Sequence, residues 1–209
     1  LFQDKLSKTG YNSINEALEL IYLPKYAYFK QEIAEIVTFL LARLDIKTTP
    51  IEADLIPGLE LYGCYTREEV FTLVGRQTAE VKMQGAASGV FNLPEHNATL
   101  LFVTLNKSEK DFSPSTQYND YLINEDYFHW QSQNTDSHNN NGGRRYTEQS
   151  QTKNKIILFV REEKKDGFGN TSPFHCFGLV DYISSHDDFP MNVKWKLQKP
   201  AMAQYLKAI

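Results

Sequence analysis

Thr99-Leu100-Leu101-Phe102-Val103-Thr104-Leu105 is one of the longest apolar runs in the chain, and Ile156-Ile157-Leu158-Phe159-Val160 is another. Both runs consist of aliphatic, β-branched and aromatic residues between polar segments, a pattern typical of strands. Both are far shorter than the roughly 20 apolar residues that cross a bilayer as a helix. The two runs therefore predict strands, and the sequence predicts no membrane segment.

The chain after Gly75 contains several more runs of this kind, separated by Gly, Asn, Ser and Pro. Short strands without long helices between them favour a mostly antiparallel sheet that is curved or closed into a barrel. The strands are predicted near residues 79–84, 88–92, 99–105, 127–132, 156–161, 174–182 and 192–197. The polar stretch Asn134 to Lys155 lies between two of them and predicts a long exposed loop.

The chain before Gly75 carries helical signals instead. Capping boxes at Ser13/Glu16 and Thr66/Glu69 each predict a helix start. Apolar residues at three- and four-residue spacing predict a further helix over residues 26–44. The predicted fold class is therefore α+β, with a helical linker or docking segment at residues 1–60 and a β-rich domain at residues 61–209.

Charge and cysteine content restrict the class of protein. The chain has 22 basic and 26 acidic residues and a net charge of −4, which argues against phosphate binding by the molecule as a whole. Residues 142–209, however, carry 11 basic and 7 acidic residues, a net +4 that suits either a DNA-binding face or a solvated surface. Two cysteines cannot form an all-cysteine zinc site or a disulfide framework, and the expected location is the cytoplasm.

The segment Asn106 to Gln133 mixes aromatic and polar residues more densely than any other. A nucleobase pocket needs flat side chains that stack on the base and polar groups that bond its edge. The candidate pocket residues are Phe112, Tyr118, Asp120, Tyr121, Trp130, Gln131 and Gln133. Core packing is the alternative: Phe128 and Trp130 share one face of a strand, His129 and Gln131 share the other, and one face must be buried.

Basic residues near this segment and in the later half of the chain are the candidates for phosphate contacts. These residues are Lys107, Lys110, Arg144, Arg145, Lys153, Lys155 and Arg161.

Catalytic and metal-binding patterns are weak by comparison. Glu162-x-Lys164 after a predicted strand resembles half of a Mg²⁺-dependent nuclease signature, but its second carboxylate has no evident position. The five histidines show no metal-ligand spacing, so no metal site is expected. The sequence predicts a non-catalytic chain, with the nuclease as an alternative. Because it begins at Leu1, we also expect a piece of a longer polypeptide.

Several ordered motifs resemble one protein family. They are Tyr65-Thr66-Arg67-Glu68-Glu69, the run from Phe102 to Pro114, Tyr118-Asn119-Asp120-Tyr121, the run from Phe128 to Gln133, Leu158-Phe159-Val160-Arg161-Glu162 and Pro173-Phe174. Together, over about residues 60–200, they resemble the C-terminal domain of unknown function 3427. Members of that family follow a superfamily II helicase, often with a phospholipase D-like nuclease, in ATP-dependent type IV restriction enzymes.

The resemblance implies a DNA-binding reader of 5-methylcytosine or 5-hydroxymethylcytosine in duplex DNA. We add the hypothesis that its curved sheet or barrel is PUA/SRA-like. Its partners would be modified DNA and the helicase and nuclease domains of the same polypeptide, and ATP and Mg²⁺ would serve only those domains. We expect base flipping, with Tyr118, Tyr121 or Trp130 stacking on the base and Asp120 accepting from the cytosine amine. Gln131 or Gln133 would read the remaining edge or fill the vacated stack. The alternative is a helicase-docking module without DNA specificity.

Overall fold

A mixed, mostly antiparallel sheet of eight strands organises the protein. The computed structural model describes residues 16, 19, 22–41, 48–51, 55–78, 81, 89–107 and 118–206. The strand order is β4 (Val90–Leu93), β5 (Ala98–Asn106), β8 (Lys155–Glu163), β9 (Phe174–His186), β10 (Asn192–Leu197), β7 (Tyr127–Gln131) and β6 (Tyr121–Leu122), and β3 (Cys64–Tyr65) pairs with β9. In the described part of the chain β4 and β6 form the two edges, so the sheet is open. The α+β class is confirmed, as a curved sheet and not as a closed barrel.

A helix and a short strand pair precede the main sheet. A 3-10 turn at Pro24–Tyr26 leads into α1 (Ala27–Leu41), which confirms the helix predicted over 26–44 as far as the described residues reach. Glu16 and Glu19 are also helical, whereas Ser13 lies outside the described residues. Strand β1 (Thr49–Pro50) pairs with β2 (Glu60–Leu61), so residues 49–65 contain short strands that the sequence did not predict.

Helix α2 (Arg67–Leu73) follows β3 (Cys64–Tyr65) and begins with the predicted capping box. The backbone N–H of Glu69 donates to Thr66 Oγ1 at 3.2 Å, and the backbone N–H of Thr66 donates to the Glu69 carboxylate at 2.7 Å. Gly75 follows the helix with a φ of +69°, as a C-terminal cap requires. The helix buries Val70 and Phe71 completely against one side of the sheet.

The two apolar runs quoted first form the centre of the sheet. Strand β5 (Ala98–Asn106) and strand β8 (Lys155–Glu163) are the parallel pair, and β4 (Val90–Leu93) adds to β5 in antiparallel orientation. Their buried residues run without alternation, because hydrophobic clusters cover both faces. Of the strand predicted at 79–84 only Val81 is described, and it lies outside regular secondary structure.

Strand β9 (Phe174–His186) bends and joins two halves of the sheet. Its first half pairs with β3 and β8, and its second half pairs with β10 (Asn192–Leu197). Gly178 lies at the bend with a φ of +78°, and a Cβ there would approach Leu61 to 2.8 Å. The register also shifts between Leu158 and Phe159, which is a bulge that increases local twist. These features curve the sheet.

Strands β7 (Tyr127–Gln131) and β6 (Tyr121–Leu122) complete the second half of the sheet. Their burial alternates, so one face packs on the core and the other faces outward. The short helix α5 (Ala203–Leu206) follows β10 and buries Tyr205. In the described residues no helix combines the length and apolar character that crossing a membrane requires.

The prediction of a long exposed loop over 134–155 was wrong. Helices α3 (Asn141–Thr147) and α4 (Gln149–Thr152) form there, and Tyr146 is fully buried. The Gln149 amide donates to the carbonyl of Val180 at 2.7 Å and accepts from the N–H of Tyr182 at 2.6 Å. Gln149 thereby bonds the backbone edge of β9 just past the residues of β9 that pair with β8. A solvated loop would leave these backbone groups without a partner in the protein.

Candidate nucleic-acid interface

Residues Tyr118 to Tyr121 lie beside the end of β7, where they meet several of the predicted pocket residues. Asp120 is central to this contact, and only 3% of its side chain is exposed. Its Oδ1 accepts from the backbone N–H of Gln131 at 2.8 Å, and its Oδ2 lies 2.6 Å from Lys107 Nζ. The same ammonium donates to the carbonyl of Tyr118 at 2.7 Å. Asp120 therefore holds the segment against β7.

This arrangement corrects two predicted roles. Both carboxylate oxygens of Asp120 have partners inside the protein and only 3% of the side chain is exposed, so Asp120 does not present an acceptor at the surface to a cytosine amine. Lys107, with 8% of its side chain exposed, neutralises that carboxylate and does not face a phosphate. Burial raises the pKa of Asp120, and the Lys107 ammonium and the Gln131 N–H oppose this rise.

Trp130 is also placed differently from the pocket prediction. It is 4% exposed and packs edge-on against Tyr146, with ring centroids 5.1 Å apart, and it lies near Trp195 at 6.2 Å. The sequence left open which face of this strand is buried. In the structure Phe128 and Trp130 face the core, and His129 and Gln131 face outward. Trp130 therefore cannot stack on a base.

Tyr121 keeps the exposed ring that a stacking residue needs. It is 43% exposed, and one face of the ring stacks on His129 with centroids 4.6 Å apart and planes 15° apart. His129 Nδ1 lies 2.8 Å from the carbonyl of Asn119, and because a carbonyl only accepts, Nδ1 carries the proton. The imidazole thus supports the tyrosine ring in a fixed orientation.

Asn119 is a polar residue of the site that the residue-by-residue prediction passed over. Its backbone N–H donates to Gln131 Oε1 at 2.6 Å, and its carbonyl accepts from His129. Its side chain is exposed beside the stacked pair. The main chain is therefore held on both sides while the carboxamide faces solvent. The sequence shows that Asn119 lies within the Tyr118–Tyr121 motif, but it does not show that Asn119 is exposed.

The two glutamines predicted as pocket residues belong to the part of the protein that holds Asn119 and Tyr121 in place. Gln131 donates through Nε2 to Asn192 Oδ1 at 3.0 Å, so its amide is committed within the protein. Gln133 is half-buried after β7, and its carbonyl accepts from the backbone N–H of Asp136 at 2.9 Å. Tyr118 is half-buried too. Phe112 and Lys110 lie outside the described residues.

The remaining basic residues fall into two groups. Arg161 is 7% exposed, donates to Thr104 Oγ1 at 2.9 Å and to the carbonyl of Ser172 at 3.0 Å, and lies over the Phe174 ring, so its predicted phosphate contact is wrong. The others lie on or beside helices α3 and α4, and Arg144 is paired with Glu148 at 2.7 Å. This second group is Arg144, Arg145, Lys153 and Lys155.

A polar network that the sequence did not indicate fixes the loops next to the interface. His138 Nδ1 donates to Asp188 Oδ1 at 2.8 Å. His138 Nε2 lies 2.7 Å from Ser185 Oγ, and Ser185 Oγ in turn lies 2.8 Å from the Tyr182 hydroxyl. The backbone N–H and the ring of His138 hold the pKa of Asp188 below its ordinary value. The members are 47 and 50 positions apart in sequence, so no local pattern could reveal them.

Glu162 and Lys164 lie at the end of β8, where Glu162 is exposed and Lys164 half-buried. Within the residues that the structure describes, no group of three or more His, Cys, Asp or Glu side chains is arranged to hold a metal ion. The Mg²⁺-dependent nuclease alternative, whose site needs two or more carboxylates, stays a prediction.

Comparison with known proteins places the fold in a family. No curated protein matches the chain with significant similarity. The family model described as Domain of unknown function (DUF3427) matches residues 59–208, which is more than half of the chain. The matched range spans the main sheet from β3 to β10 and the Tyr121–His129 stack. The chain therefore belongs to the family of the domain of unknown function 3427.

Proposed function

We propose that this domain reads 5-methylcytosine or 5-hydroxymethylcytosine in duplex DNA and so directs the helicase and nuclease parts of a type IV restriction enzyme. The observation that carries the proposal is the exposed Tyr121 ring, stacked on His129 beside Asn119. A flipped base needs an aromatic surface for its face and a polar group for its edge. Tyr121 supplies the first and Asn119 the second.

The chemistry of cytosine suits a carboxamide. Its exocyclic amine donates, while its N3 and O2 accept, and the Asn119 side chain has both an acceptor and two donors. The 5-methyl group contributes about 0.8 kcal/mol when buried, which is about fourfold in affinity. Larger discrimination must come from the shape around the ring. Arg144, Arg145, Lys153 and Lys155 supply phosphate contacts in this proposal, and the domain itself is non-catalytic.

Tyr121→Ala is expected to raise the Kd for methylated duplex about tenfold, since a base–aromatic stack is worth about 1–3 kcal/mol. Asn119→Ala should have a similar effect, since a bidentate contact with a base edge is worth about 1–3 kcal/mol. The Kd for the matched unmodified duplex should change little. Arg144→Ala is the contrasting variant, because removal of a cation that binds phosphate weakens both duplexes equally and reduces the salt dependence. Titration by fluorescence anisotropy measures the Kd for the methylated and the unmodified duplex in the parent chain and in the three variants. Equal losses on both duplexes from Tyr121→Ala would contradict the reader proposal.

A second candidate, a module that docks on the helicase, is favoured by helix α1. Its apolar side chains face solvent, with Tyr28 86%, Ile36 59% and Leu40 57% exposed. Exposed apolar residues at Tyr26, Phe29, Ile33, Ile36 and Leu40 follow alternating three- and four-residue steps, which is the spacing of a helix that packs on a partner helix. The helicase part of the same polypeptide is the proposed partner.

Ile36→Asp together with Leu40→Asp should abolish binding of this chain to the isolated helicase part while leaving its thermal midpoint unchanged. The reason is that both side chains are already in water, so the substitutions affect binding to the partner and not the packing of the chain itself. Pull-down and thermal unfolding provide the two readouts. If the double variant binds the helicase part as well as the parent chain does, α1 is not the docking element.

A further inference from the structure

The outward surface of strands β6, β7 and β10 carries aromatic and cationic side chains side by side. Cross-strand pairing places Tyr121 opposite His129, Lys194 opposite His129, and Lys196 opposite Tyr127. Directly paired residues of antiparallel strands project from the same face. We call these five residues, Tyr121, Tyr127, His129, Lys194 and Lys196, the outer face.

The opposite side of the same strands is filled with core residues. Phe128 and Trp195 have no exposed surface, and Trp130 has 4%. The alternation fixes which side chains face outward, because a one-residue shift of register would bring the tryptophans to the surface. The outer face is therefore a stable platform on a rigid part of the sheet.

The side chains of the outer face leave aromatic surface next to positive charge. Lys194 Nζ lies 4.4 Å from the centroid of the Tyr127 ring, and Lys196 is exposed beside it. Tyr121 contacts His129 on one face of its ring and is 43% exposed. The cross-strand neighbour of Lys196 on β9 is Asp181, which accepts from Gln198 Nε2 at 3.1 and 3.3 Å. Lys196 therefore lies opposite a carboxylate that already has a donor, whereas the neighbour of Lys194 on β9 is the uncharged Ser184.

We propose that the outer face binds single-stranded DNA, with bases stacked on Tyr121 and Tyr127 and phosphates near Lys194 and Lys196. Proteins hold single strands by aromatic stacking on a sheet together with a positively charged path for the backbone. A fully stacked duplex cannot use these rings, because its bases expose only their edges. A base must first leave the stack, in a single strand or by flipping, before it can stack on Tyr121.

The single-strand proposal shares the Tyr121 ring with the proposed reading of modified cytosine, and the choice of DNA over RNA rests on that proposed function in duplex DNA. A domain that works beside a helicase meets separated strands, and a platform for one strand would hold the duplex open next to the reading site. Neither Tyr127 nor the two lysines has a role in the proposed reading of the base. The two functions can therefore be separated by substitution.

The test is the binding of labelled oligo-dT to the full chain, measured by fluorescence anisotropy over a range of salt concentrations. Lys194→Gln with Lys196→Gln should reduce the slope of log K against log salt by about 0.7 for each phosphate that is no longer neutralised. Tyr127→Ala should raise the Kd about tenfold. The matched controls are Lys165→Gln and Phe168→Ala, an exposed lysine and a 93% exposed aromatic ring outside the outer face, which should leave both values unchanged.

Each outcome decides one point. Unchanged affinity and slope in the outer-face variants would overturn the platform, and tighter binding of oligo-U than of oligo-dT would overturn the DNA assignment. Thermal unfolding of each variant identifies any loss that comes from misfolding, and Tyr127→Phe, which keeps a ring, should bind as the parent does. Discrimination between methylated and unmodified duplex is measured separately, so its failure leaves the single-strand result interpretable.

Discussion

Lys107→Met is expected to lower the free energy of unfolding by about 3–5 kcal/mol, because it leaves the Asp120 carboxylate buried without its counter-ion. The ammonium and the carboxylate are 2.6 Å apart, with only 8% and 3% of their side chains exposed. The ammonium also satisfies the carbonyl of Tyr118. Urea unfolding followed by tryptophan fluorescence measures the loss, since both tryptophans lie in the core.

The exposed pair Arg76–Glu95 provides a matched control. Its shortest distance is also 2.6 Å, but its side chains are 42% and 41% exposed. Arg76→Ala should therefore lower the free energy of unfolding far less than Lys107→Met does, since water screens the charges. Lys107→Met with Asp120→Asn should recover more than half of the single-variant loss, because no unpaired charge remains. Equal losses from Lys107→Met and Arg76→Ala would show that burial does not determine the energy of this pair.

The pH dependence of Lys107→Met has a defined sign. Burial already raises the pKa of Asp120, and removal of the ammonium removes the main opposing interaction. A carboxyl whose folded-state pKa lies above its unfolded value destabilises the fold as pH rises through that interval. The deficit of Lys107→Met should therefore shrink on acidification, whereas the double variant should show no such recovery.

The strands could be predicted where apolar residues identify them directly. The runs at 99–105 and 156–160 are continuous because both faces of β5 and β8 are buried, and the Thr66 capping box is a local pattern that needs no tertiary contact. Pairing order could not be predicted, since β5 and β8 are adjacent and parallel although about 50 residues separate them in sequence. Continuous apolar runs carry no information about which strand lies beside them.

The site was predicted less well than the fold, for identifiable reasons. Both faces of β7 carry aromatic residues, and only Tyr146 and Trp195, distant in sequence, determine that Trp130 is the buried one. Asp120 has the sequence context of a pocket residue, yet its pairing with Lys107 makes it structural. Tyr121 could be put forward as a candidate because the motif around it is dense in aromatics. Its support by His129 depends on strand pairing, which the sequence does not specify.

Gln149→Glu is the second substitution expected to have a large effect, about 2–4 kcal/mol of lost stability at neutral pH. The parent amide is 9% exposed and bonds two backbone groups of β9, one as donor and one as acceptor. Each buried hydrogen bond left unmade costs about 1–3 kcal/mol. The introduced carboxylate still accepts from the N–H of Tyr182, but its second oxygen opposes the carbonyl of Val180, where Nε2 lay at 2.7 Å.

Comparison of Gln149→Glu with Gln149→Leu separates hydrogen bonding from packing. As pH falls, the introduced carboxyl takes up a proton, becomes a donor to the carbonyl of Val180 and should regain most of the lost stability. The leucine variant should lose as much stability without any recovery in acid. Gln151→Glu, at an exposed position of the same helix, should change the free energy of unfolding by no more than about 0.5 kcal/mol. A pH-independent loss in Gln149→Glu would mean that the amide contributes only by filling space, and the assignment of α4 as the cover of the β9 edge would then be wrong.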